Sequence, residues 1–373
     1  MLVLLVFGAS LAGCTSGTAS SNSASTSVVP TVLPSSNVSP PGTGSVSWTP
    51  VTGTEFGAAM VTDLIATSAG FLAVGSVNEN GHTNGGIWTS SDGTKWRRVT
   101  VSASDQDFIG VVAAGTGGYV AISLQCAGGE CLAPASSWTS TDGQTWAQHA
   151  MDGCCAPNDL AATPSTVALV GSDVSTGFPQ TPTDVAAFTS ADGATWARAT
   201  GDQSFKQASM GSVGALGSRF AALGNGQTSM IAWTSADGKT WAQAPASDAL
   251  QTAQASDMTT FSNILVAVGR NASGAVSWTS PDGTAWTRSS ASAATDNAAM
   301  NKVAVAGALL VAVGHDSGGA GAIWSSADGL TWTEASSLPG GASDFTAVAA
   351  NKNQIVVFGS TTTGATVLLV AEL

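Results

Sequence analysis

The chain has 373 residues, 24 acidic against 11 basic, and the formal charge of −13 argues against nucleic acid as a partner and against adsorption to an anionic bilayer by charge alone. Charged residues make up only 9% of the chain and glutamate occurs five times, so solvent-facing helices are hard to write anywhere in it. In chain order, Met1 to Val6 form an apolar run, and Leu11-Ala12-Gly13-Cys14 follow as small residues ending in a lone cysteine at the edge of a polar stretch. Residues 14–45 are mostly Ser, Thr, Pro, Val and Gly, with no charge and no apolar periodicity, and are predicted to stay extended as a disordered tether. Residues 46–373 remain for folding.

Within that stretch one nonapeptide recurs: WTSSDGTKW from Trp88, WTSTDGQTW from Trp138, FTSADGATW from Phe188, WTSADGKTW from Trp233, WTSPDGTAW from Trp278 and WSSADGLTW from Trp324. Each Asp-Gly between β-forming flanks predicts a hairpin, with the Asp capping nearby N–H groups and the Gly accepting positive φ. A second marker, an apolar run usually ending in Gly, starts at Phe71, Tyr119, Val167, Phe220, Leu265, Leu310 and Ile355. That makes seven runs but six hairpins. The chain ends shortly after the seventh run, and Trp48-Thr49-Pro50 stands alone at the start. The expected fold is therefore all-β, a seven-bladed propeller of four-stranded blades whose last blade is closed by the N-terminal strand.

Two resemblances add expectations. Leu11 to Cys14 resembles a bacterial lipobox, which implies a lipoprotein signal peptide at residues 1–13, a lipid on Cys14 and a place on the extracytoplasmic side of the cell membrane. No Lys or Arg precedes the apolar run, as that pattern would have it, which predicts a start codon upstream of Met1. The repeated hairpins resemble the Asp-box, or BNR, repeats of sialidase-type propellers across residues 46–373, although here Asp is followed directly by Gly, one residue shorter than the usual spacing. The resemblance implies that Asp92, Asp142, Asp192, Asp237, Asp282 and Asp328 are structural turn residues and not catalysts.

The chemistry of a sialidase is hard to place on this chain. That family implies three arginines on a carboxylate, a Tyr nucleophile with a Glu partner and an Asp acid/base. The single tyrosine, Tyr119, aligns with Phe71 and Phe220 as a core aromatic; Arg97, Arg198 and Arg288 fall on outermost strands, and Arg219 and Arg270 bracket second strands. His82, His149 and His315 are expected in scattered connections, and Asp105-Gln106-Asp107 lacks the ligand spacing of a calcium loop, so no metal, cofactor or catalytic residue is assigned. Outside a reducing cytosol, Cys126, Cys131, Cys154 and Cys155 read as two disulfides that link the loop after the second strand of blade two to the crossing into blade three.

Three functional classes follow. The first is a binding or scaffold module for a protein or glycan at the cell envelope, monomeric and held to the membrane by the lipid. The second is a sialidase-like glycan hydrolase using loop carboxylates such as Asp152, Asp159 or Asp173. The third is an assembly factor for a membrane complex, since some membrane-tethered Asp-box propellers assist photosystem assembly. Loop variation places the expected recognition surface on blades two and three, at residues 125–136, 150–160 and 173–184.

Overall fold

The structure, a computed structural model, describes residues 46–373 apart from 54–55, 58, 80–81, 102–106, 116, 128–129, 132–135, 152–155 and 174–183. Seven sheets follow one another in sequence, antiparallel apart from the short strand Thr200–Gly201 added in parallel to blade four. Blade one comprises Met60–Thr67, Gly70–Glu79, His82–Ser90 and Arg97–Arg98, counted from the innermost strand outwards. The innermost strands of blades two to seven are Asp107–Gly115, Ala156–Ala162, Ser209–Leu216, Ala253–Phe261, Ala299–Ala306 and Asp344–Ala350. Each lies against the innermost strand of the next blade, and that of blade seven returns to blade one. Blade seven takes its outer strand from the start of the folded chain, with Thr49 opposite Val370 and Pro50 opposite Leu369, which is the closure the orphan strand predicted.

The second strands, such as Phe71-Leu72-Ala73-Val74, are apolar at successive positions because both sheet faces are covered by neighbouring blades. Core side chains accordingly come from pairs of blades: Ala168, Val170 and Val185 of blade three pack with Phe220, Ala222 and Trp233 of blade four. The first tryptophan of five hairpins, Trp88, Trp138, Trp233, Trp278 and Trp324, is almost fully buried, with Phe188 in its place in blade three. At the closure, Phe56 packs between Trp88, Trp96 and Phe358 with ring centroids 5.1, 5.6 and 4.8 Å away.

Every innermost strand carries a β-bulge near its start, at Val61/Asp63, Ile109/Val111, Pro157/Asp159, Met210/Ser212, Ala255/Asp257, Met300/Lys302 and Phe345/Ala347. The bulge explains the Gly that closes the apolar runs. Gly75, Gly171, Gly224, Gly269, Gly314 and Gly359 face it, and a Cβ on any of them would lie 1.9–2.3 Å from a backbone oxygen of the bulged strand.

Strand direction alternates, so the hairpins after third strands share one face with the turns between first and second strands. The other face holds the loops between second and third strands and the crossings between blades. On that face, among the described residues, the residue entering the inner strand has positive φ at Gln207 (55°), Thr252 (52°) and Asn297 (51°). Amide-bearing residues tolerate this conformation better than β-branched Thr252. Thr252→Asn is expected to raise stability by about 1 kcal/mol, read as a higher denaturation midpoint at unchanged m-value. A lower midpoint would show that Thr252 makes a compensating interaction.

Candidate binding surfaces

At the centre of the ring the bulge positions bring charges together. Lys302 Nζ of blade six lies 3.4 Å from Asp63 Oδ1 of blade one and 3.6 Å from Asp257 Oδ1 of blade five, all three side chains less than a fifth exposed. Asp159 of blade three completes the set. Each carboxylate also fastens a neighbouring blade: Asp63 accepts from Val112 N at 2.9 Å, Asp159 from Val213 N at 2.8 Å and Asp257 from Val303 N at 2.7 Å. The residue just before adds a second fastener, as Thr62 donates to Ile109 O, Asn158 to Met210 O, Asn301 to Phe345 O and Thr346 to Val61 O. Burial, with the charge of Asp257 added, holds the Asp159 carboxyl well above the usual carboxylate range. Burial raises Asp257 as well, against the pull of Lys302. Burial alone would depress Lys302, but the carboxylates of Asp257, Asp63 and Asp159 hold it above the ordinary lysine value.

In all six hairpin turns the Asp accepts from the backbone N–H groups two and three residues on, and in five the second tryptophan donates to the carbonyl of the turn glycine, whereas Trp332 Nε1 donates to Ser277 Oγ. Asp282 Oδ1 accepts from Thr284 N at 2.7 Å and Ala285 N at 2.9 Å, Ser280 Oγ accepts from Gly283 N, and Trp286 Nε1 donates to Gly283 O. The backbone N–H groups of Ala285 and Thr284 pull the Asp282 carboxyl down to about 2. Asp142, Asp192 and Asp237 are lowered chiefly by the same kind of contacts; at Asp92 and Asp328 burial opposes them and is outweighed. All six glycines have positive φ, from 67° to 83°. The turn of one blade packs on the blade before it, with Gly193 against Val120 and Thr139 and Gly283 against Ala221 and Thr234.

The structure places the other residues singled out from the sequence as follows. Tyr119 lies in the second strand of blade two, one residue after its start, opposite Ser140 and in the register of Phe71 and Phe220. Arg97, Arg98, Arg198 and Arg288 lie on outermost strands, and Arg219 and Arg270 sit at opposite ends of second strands. His149 is not in a connection: it pairs with Ser137 within the outer strand Ala147–Ala150, where its Nε2 lies 2.9 Å from Thr139 Oγ1, because that strand extends two residues beyond those of blades one, three and five. His82 opens a third strand, and His315 closes a second strand with Nδ1 3.3 Å from Asp344 Oδ1. The described residues bring no three His, Cys, Asp or Glu side chains into a metal-binding group.

Asp159 is an inner-strand residue and not a loop carboxylate, since the bulge turns it toward the ring centre; Asp173 ends a second strand and pairs with Arg198, and Asp152 lies outside the described residues. Cys126 belongs to the extended second strand of blade two, directly opposite Cys131 in the backbone register, rather than to a loop after it. Cys154, Cys155, Asp105, Gln106 and Cys14 lie outside the described residues. Much of the proposed recognition surface on blades two and three does as well, at 128–129, 132–135, 152–155 and 174–183.

The face opposite the hairpin turns carries a described cleft of about 480 Å³ between blades four and five. Asn225, Gln254, Arg270 and Asn271 line it, with Thr252 at its edge. Arg270 is exposed and forms no ion pair among the described residues.

No family model matches this chain, and no curated protein matches it in sequence. Among solved structures it is similar to YCF48 bound to D1 peptide, with a TM-score of 0.56 and 14% identity over 88% of this chain and 94% of that one. It is also similar to the Trypanosoma rangeli sialidase in complex with the inhibitor DANA, with a TM-score of 0.47 and 11% identity over 87% of this chain and 59% of that one. The likeness to YCF48 shows the β-propeller fold and nothing finer.

Proposed function

We propose that this chain is an extracytoplasmic propeller, anchored to the membrane by a lipid on Cys14, that binds an extended segment of a protein partner without turnover. The observation that carries this reading is the cleft between blades four and five, where Asn225 and Gln254 offer amide donors and acceptors and Asn271, whose Oδ1 accepts from Ser273 N and Gly274 N, offers its amide N–H groups, beside the guanidinium of Arg270, which forms no ion pair among the described residues. Side-chain amides match the alternating N–H and C=O groups of an extended peptide backbone. The peptide held by YCF48 on a similar fold supports a peptide partner.

Two variants test the partner and its surface in pull-downs from envelope extract. Arg270→Ser with Asn271→Thr gives the cleft the residues that blade seven carries at the same register, Ser360 and Thr361. The other variant replaces residues 173–184 by a short Gly-Ser turn. A partner captured by the intact chain is expected to be lost with the first variant; loss only with the second moves the surface to blades two and three. Identical partner lists for all three chains overturn the reading. Location has its own test: Cys14→Ala is expected to release a folded propeller from the membrane fraction, and a variant that stays membrane-bound in high salt defeats the lipid anchor.

A further inference from the structure

The repeats provide an internal comparison that the hairpin face does not pass uniformly. In five of the six hairpins the residues on either side of the second tryptophan are small and uncharged: Thr145 and Ala147, Thr195 and Ala197, Thr240 and Ala242, Ala285 and Thr287, Thr331 and Thr333. Blade one has Lys95 and Arg97 there. A third departure comes from the neighbouring blade, since the residue that opens the apolar run of the second strand is Phe, Val, Leu or Ile in six blades and is Tyr119 in blade two. The three departures line one cleft of about 400 Å³ between the hairpins of blades one and two, together with Thr67 and Gln144.

Packing alone does not call for these residues, because the other blades build the same hairpin and the same strand without them. Lys95 and Arg97 are exposed and form no ion pair among the described residues, whereas Arg98, Arg198, Lys206 and Lys302 are each paired with a carboxylate. The carboxylate at the rim, Asp142, is turned onto its own hairpin, accepting from Gln144 N at 2.7 Å and Thr145 N at 2.8 Å.

We propose that this cleft is an anion site for a phosphoryl group, held by the Lys95 ammonium, the Arg97 guanidinium and the Tyr119 hydroxyl. An ammonium, a planar fork and a phenol present more donors than the two oxygens of a carboxylate accept, and they suit the three or more oxygens of a phosphate ester. The ionised hairpin aspartates on the same face, Asp282 among them with its carboxyl near 2, repel an anionic bilayer. The ligand is therefore a phosphate ester that enters the cleft singly, and not a lipid surface. The site is separate from the peptide cleft, on the opposite face, and stands whether or not a protein partner exists.

The test uses substitutions that restore the residues of the other copies. Lys95→Thr with Arg97→Ala, and Tyr119→Phe, place in the cleft what other hairpins and second strands already carry, so folding is expected to survive and is checked by thermal melts. Glycerol 1-phosphate is titrated calorimetrically into the full-length Cys14→Ala chain at low ionic strength, with galacturonate as the carboxylate control and phosphatidylglycerol vesicles as the lipid control. Saturable binding of glycerol phosphate is expected, weakened about tenfold or more by the double substitution and about threefold by Tyr119→Phe, with galacturonate binding more weakly. No binding by the parent chain, equal binding by the double variant, equal affinity for galacturonate or preference for vesicles would each overturn the proposal.

Discussion

Replacing Lys302 by methionine is expected to cost about 3–5 kcal/mol, because it leaves the buried carboxylates of Asp63, Asp159 and Asp257 without their cation. Methionine keeps most of the stem volume, so the loss reports charge rather than a cavity. The pH dependence separates this from a packing defect. In the parent chain Lys302 is raised above 10.5, so its contribution is fully present below that value and is lost only as pH rises through the higher folded value. Asp159 and Asp257 are raised above 3.8, so they favour the fold most when protonated and their contribution falls as pH rises from 3.8 toward their folded values. Without the ammonium those carboxyls hold their protons to still higher pH. The deficit of Lys302→Met, measured by urea unfolding, should therefore be larger at pH 8 than at pH 5, and Asp257→Asn in the same chain should restore part of it. Equal deficits at both pH values would mean that the cluster does not carry this charge coupling.

Gly224→Ala is expected to destabilise the protein by about 3 kcal/mol, although it adds one methyl group to a strand. That methyl would stand 1.9 Å from Ser209 O, a backbone atom held by the bulge, so relief requires moving the inner strand of blade four. Blade two supplies the comparison, because Ser123 occupies the same register opposite Ile109 and already carries a Cβ. Its hydroxyl accepts from Trp138 Nε1 at 3.0 Å. Ser123→Ala therefore introduces no clash and is expected to cost only about 1–2 kcal/mol, from a buried indole N–H left without an acceptor. Chemical denaturation of the two variants gives the order directly; a larger loss for Ser123→Ala would contradict the account of the glycine.

The central cluster shows what repeat alignment makes visible. Asp63, Asp159, Asp257 and Lys302 each stand eight residues before the start of an apolar run, at the position held by Val111, Ser212 and Ala347 in the other blades. Charge at four of seven copies of an otherwise apolar strand is a signal in the sequence. Its meaning is not: Asp159 was readable only as a loop carboxylate until the bulge turned it inward. Lys95, Arg97 and Tyr119 are similar, since each departs from its repeat in plain view while their convergence depends on two blades being neighbours.

Blade number, hairpin turns and closure by Trp48-Thr49-Pro50 were determined by the sequence alone. They rest on local chemistry: Asp-Gly turn geometry, β-forming flanks and a period near 45 residues without the long 3.6-periodic segments that a helical repeat needs. The extent of strands at the blade edges was decided by tertiary pairing. His149 joins an outer strand, Cys126 continues a second strand, and Thr200–Gly201 adds in parallel to the outer strand of blade four, all through backbone hydrogen bonds to a partner strand. The clefts were decided by tertiary packing as well, because each lies between two blades and draws its lining from both, from Asn225 to Asn271 in one and from Thr67 to Gln144 in the other, which only the packing of adjacent blades brings to one place.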